Sequence, residues 1–102
     1  MAVDLRSQNN YPIVKVVSIT NTVCLEVQLP SSSRNVKIAC NTEDIYFTSV
    51  GTDGVTLGAD KALIKVNEYH SQKLARGNNR IDSIFLQSSV ASATATLIFD
   101  EE

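Results

Sequence analysis

The chain has 102 residues, 43% of them apolar and 20% charged, which supplies one buried core and is too short for two of ordinary size. Nine lysines and arginines against eleven acids leave a net charge of −2, which argues against a protein that tracks a nucleic-acid backbone and leaves no polybasic patch for a membrane surface. With no Trp, three Tyr and three Phe, the buried area has to come from Val, Ile, Leu and Ala.

Residues 1–11 are polar, contain Ser7-Gln8-Asn9-Asn10, and are closed by Pro12, which biases Tyr11 toward extended geometry. They read as an N-terminal arm ahead of a single domain over 12–102. The early Asp4 and the missing apolar run argue against a secretory signal, so synthesis in a cytoplasm is expected. Ile13 to Thr20 is apolar on both parities, Ile13, Val17 and Ile19 against Val14 and Val16, as in a strand covered on both faces or one at an interface. Neither this run nor any other approaches the roughly 20 apolar residues that span a bilayer. Asn21 is a turn candidate, after which Val23, Leu25, Val27 and Leu29 alternate with Cys24, Glu26 and Gln28. The two segments predict a hairpin, ended by Pro30 and the Ser31–Ser33 loop.

Val36, Ile38 and Cys40 form the next inward face, with Lys37 and Asn41 outward; after the turn at Asn41–Glu43, Ile45 and Phe47 oppose Tyr46 and Thr48. Gly51-Thr52-Asp53-Gly54 is a strong turn signal because Asp-Gly readily supplies a positive φ, and Leu57-Gly58-Ala59-Asp60 repeats it before Ala62–Val66. Residues 67–79 break the rhythm. Glu68 to Arg76 has weak helical character with Gly77 at a C-cap position, predicting one helical turn or an ordered loop. Ile84 and Leu86 resume strand alternation, Ser88–Ser92 turns, and Ala93, Ala95, Leu97 and Phe99 share one face of a last strand whose other face carries Thr94 and Thr96. Seven or eight short strands without a crossover helix predict an all-β fold, an antiparallel two-sheet β-sandwich, with a small β-barrel as the alternative.

No catalytic motif accompanies these strands, and the expectation is a protein that is not an enzyme and carries no cofactor or metal. His70 is the sole histidine, flanked by Tyr69 and Ser71 without a nucleophile elbow, and reads as a surface imidazole. Glu43, Asp44, Asp53 and Asp60 fall in or near turns but lack calcium-loop spacing. Cys24 and Cys40 belong to no metal-binding or redox motif; buried reduced thiols are the first reading and a disulfide the second. For carbohydrate recognition only Tyr11, Tyr46 and Tyr69 are available as platforms, and Tyr46 reads as a cross-strand packing residue.

The runs Val36-Lys-Ile-Ala-Cys-Asn-Thr-Glu-Asp-Ile-Tyr-Phe-Thr, Gly51-Thr-Asp-Gly-Val-Thr-Leu and Ile84-Phe-Leu-Gln-Ser-Ser-Val-Ala-Ser-Ala-Thr-Ala-Thr-Leu-Ile-Phe resemble small β-sandwich virion proteins of tailed bacteriophages. The resemblance covers about residues 35 to 99 and consists of strand and turn patterns. It implies a noncatalytic structural protein of the virion, first a capsid decoration or cement protein bound to the major coat protein, and alternatively a head-to-tail connector or tail component. A carbohydrate-binding or host-recognition module is the reading from another class. The expected partners are coat protein and further copies of the chain, trimers first, with no nucleic acid and no membrane. Leu5, Tyr11, Ile13, Val14 and Val16, from the arm and the doubly apolar strand, are the candidate interface residues, joined by Tyr69 and Arg76 from the charged segment 67–79.

Overall fold

The computed structural model describes residues 2–76 and 79–101, with 75, 76 and 79 described by backbone alone. It contains β1 (Val3–Asp4), β2 (Ile13–Ile19), β3 (Leu25–Gln28), β4 (Asn35–Cys40), β5 (Ile45–Thr48), β6 (Ala62–Ile64), β7 (Tyr69–Lys73), β8 (Ala75–Arg76), β9 (Asn79–Arg80), β10 (Ser83–Ser88) and β11 (Ala93–Asp100). A five-stranded sheet, sheet A, runs β1-β3-β10-β5-β6; a four-stranded sheet, sheet B, runs β2-β11-β4-β7; β8 and β9 form a separate small ribbon. All pairings are antiparallel except β1 with β3. The fold is therefore the expected β-sandwich, two open sheets rather than a closed barrel.

The inward parities read from the sequence fill the space between the sheets. Ala93, Ala95, Leu97 and Phe99 of β11 meet Val36, Ile38 and Cys40 of β4 on one side of the core, with Val27, Ile45, Ile84 and Leu86 opposite, all in one buried cluster. The β11 side chains alternate buried and half-buried along the strand, the period-2 signature of a sheet with one face in the core.

Two local expectations are corrected. The segments 13–20 and 23–29 are not a hairpin: β2 pairs with β11 in sheet B, whereas β3 pairs with β1 and β10 in sheet A. Asn21-Thr22 lacks the glycine that makes Asn a tight hairpin turn, and the chain instead crosses from one sheet to the other. Residues 69–73 and 75–76 are strand rather than a helical turn or loop, β7 being laid along β4 from Asn35↔Lys73 to Ala39↔Tyr69. Its inward positions are His70 and Gln72, polar residues at a sheet edge, so the alternation carries no hydrophobic signal until Leu74, which is buried in the core. The C-cap expected at Gly77 lies outside the described residues.

The N-terminal segment also differs from a free arm. Val3 and Asp4 extend sheet A beside Val27 and Gln28, and Leu5 is buried in the main core. Gly54 has φ of 78°, as its Asp-Gly turn requires, and Asn67 takes φ of 66° at the entry to β7.

Candidate docking face

Sheet A is covered on its outer side by the chain's own loop. Residues 49–61, joining β5 to β6, lie over Phe85, and Gly51 comes so near that a Cβ there would stand 3.0 Å from the Phe85 ring. Leu57, Phe85 and Cys24 form a second buried cluster with Tyr46 against it. Polar contacts fasten the loop. The Gln87 side chain, buried between them, accepts from the Leu57 amide at 2.8 Å and donates to the Asn21 carbonyl at 2.9 Å. Asp53 accepts from the Glu26 amide at 2.9 Å, a bond to the ionised form that lowers its carboxyl pKa, and Cys24 Sγ–H donates to the Thr52 carbonyl. Lys61 Nζ stands 5.0 Å from the centre of the Tyr46 ring.

Among the described residues, sheet B has no such cover. The outward parity places Val14 and Val16 of β2, Thr96 and Ile98 of β11, Lys37 and Ala39 of β4, and Tyr69 of β7 side by side, in the registers Val14↔Ile98, Val16↔Thr96, Thr96↔Ala39 and Ala39↔Tyr69. Val14, Val16 and Tyr69 are 59%, 58% and 61% exposed. Lys37 Nζ stands 4.3 Å from the Tyr69 ring centre, and the Asn41 amide donates to Thr96 Oγ1 at 2.8 Å. Lys15 occupies an inward parity position of the edge strand β2 yet is exposed, which places a charge along the edge and disfavours strand addition there. The face, not the edge, is what sheet B offers.

Of the residues expected at an interface, the structure brings Val14, Val16 and Tyr69 onto this one face. Leu5 and Ile13 belong instead to the protein's own core, at 3% and 6% exposure, because β1 and β2 turn those side chains inward. Tyr11 is half-buried against that core, with its hydroxyl buried and without a hydrogen-bond partner among the described residues. The Arg76 side chain lies outside the described residues. Sequence reasoning missed Ile98 and Ala39 as face members, since small and β-branched residues on the polar parity of a strand look like ordinary filling until the neighbouring strands are known.

The groups singled out for chemistry go elsewhere. His70 stacks on Phe47 at 4.7 Å between ring centres, with its Nε2 3.2 Å from Gln72 Oε1. Asp44 accepts from the Val66 amide at 2.8 Å. Cys24 and Cys40 are free and buried, so the reduced-thiol reading holds, and burial pushes the Cys40 thiol pKa up. Among the described residues, no group of three or more His, Cys, Asp or Glu is arranged to hold a metal ion. The three tyrosines do not converge on one surface: Tyr11 and Tyr46 are half-buried and Tyr69 stands on sheet B. No family model, curated protein or solved structure matches the chain.

Proposed function

We propose that the protein is a noncatalytic assembly module of a virion, a capsid decoration protein that docks on coat protein through the outer face of sheet B. The observation that carries this reading is the contrast between the two outer faces: the strands of sheet A lie under the chain's own loop 49–61, whereas Val14, Val16 and Tyr69, 58–61% exposed, stand with half-buried Ile98 on the strands of sheet B. Four strands about 4.8 Å apart and up to eight residues long present roughly 500 Å². A stable pairwise interface takes about 800 Å² per partner, so a single contact through this face is weak. Repetition over a symmetric lattice, with copies grouped around a symmetry axis and trimers first, converts such contacts into tight attachment by avidity.

The test is co-sedimentation of the purified chain with coat-protein shells assembled from the same genome. Saturable binding at a fixed ratio to coat subunits is the expected result. A chain that stays in the supernatant at saturating shell concentrations contradicts the reading.

A further inference from the structure

We propose that the N-terminal strand is exchangeable between copies, so that Val3–Leu5 of one chain occupies in a second chain the β3 edge that it fills in its own. This does not depend on what the outer face of sheet B binds. β1 is a two-residue strand whose attachment is a short parallel ladder, Val3 opposite Val27 and Asp4 opposite Gln28, extended by the Leu5 amide donating to the Gln28 carbonyl at 2.9 Å. Leu5 is its one fully buried side chain, and half-buried Val3 packs beside it.

Other polar contacts lie within the segment itself. Arg6 donates to both carboxylate oxygens of Asp4, and the Gln8 amide donates to the Leu5 carbonyl. Residues 6–10 are exposed throughout. The arrangement is an apolar plug on a polar tether, anchored beyond it by β2.

Withdrawing the plug uncovers Val27 and the free edge of β3, and the segment that restores those contacts in full is the same segment from another copy. Exchange therefore leaves the contact set unchanged, the condition under which strand swapping costs least. Fully extended, the exposed residues 6–10 reach about 17 Å, so exchange takes place with a neighbour packed directly alongside, its β3 edge close to the start of β2. A tether this short gives its own strand an effective concentration on the order of millimolar. Dilute chains keep their own strand, and copies crowded side by side exchange it.

Two readouts on the full-length chain test this. Chains carrying Asp4→Cys are mixed with chains of distinguishable mass carrying Gln28→Cys, under oxidised glutathione, from micromolar to millimolar concentration; native Cys24 and Cys40 are buried and do not compete. The 4–28 heterodimer is expected to increase with concentration and to exceed several-fold the collisional link between Asp4→Cys and a Val50→Cys chain, Val50 being 81% exposed. Equal yields of the two links overturn the proposal. Unsubstituted chains give the second readout: in an equimolar mixture of isotope-labelled and unlabelled protein at millimolar concentration, intermolecular nuclear Overhauser contacts between Val3 and Val27 are expected, and contacts confined to single chains overturn it.

Discussion

The two outer faces of the sandwich are built from the same kind of strand and end differently. Sheet A contains β5 and β6, consecutive strands of one sheet, and the chain that joins them, residues 49–61, folds down over Phe85 and Tyr46. The strands of sheet B are joined to strands of sheet A, or to the β8–β9 ribbon, by connections at the ends of the sandwich, so none of the described connections lies across their outer side. Coverage here follows from topology more than from composition. The same loop that lies over sheet A leaves Val14, Val16 and Tyr69 of sheet B in solvent.

If the loop is a packed lid, damage beneath it is expensive and damage on the bare face is not. Phe85→Ala is expected to cost about 3 kcal/mol in denaturant unfolding, since it empties a site roofed by Leu57 and Gly51. Gln87→Ala leaves the buried Leu57 amide without its acceptor and is expected to cost about 1–3 kcal/mol, with faster proteolysis within residues 50–61. On the bare face, Val14→Ser together with Val16→Ser is expected to change stability by no more than about 1 kcal/mol while abolishing co-sedimentation with coat shells. A large stability loss there, or unchanged docking, breaks the comparison.

The smallest effect concerns pH at the N-terminal strand. The Arg6 guanidinium holds the exposed Asp4 carboxyl at about 2, below its ordinary 3.8. A depressed folded-state pKa contributes stability that is present above 3.8 and is lost as pH falls through about 2. Amide exchange at Leu5 is therefore expected, relative to core amides of β11 in the same sample, to accelerate over that interval and to be flat above pH 5 or so. Asp4→Asn removes the dependence.

The layers were legible in the sequence wherever a strand has one apolar and one polar parity: β4, β5 and β11 could be placed with their inward residues from alternation alone. The pairing of strands was not, because β2 and β3 each satisfy a hairpin pattern, and apolar alternation is the same in adjacent strands as in strands facing across a core; the missing glycine after Asn21 was the local sign against the hairpin. β7 was hidden for a different reason. At the sheet edge its inward residues His70 and Gln72 need no hydrophobicity, so the physical constraint that writes the pattern is missing. Of the docking face, Val14 and Val16 could be named in advance from the doubly apolar strand and Tyr69 from the charged segment 67–79; that they share a surface with Ile98 and Ala39 follows only from the order β2-β11-β4-β7.

Hydroxyl-radical footprinting of the chain alone and bound to coat shells compares the two faces in one experiment. Val14, Val16 and Tyr69 are expected to lose reactivity on binding, while the exposed Val50 and Val55 of the loop keep theirs. Protection of the loop valines with the sheet B residues unchanged would contradict the account.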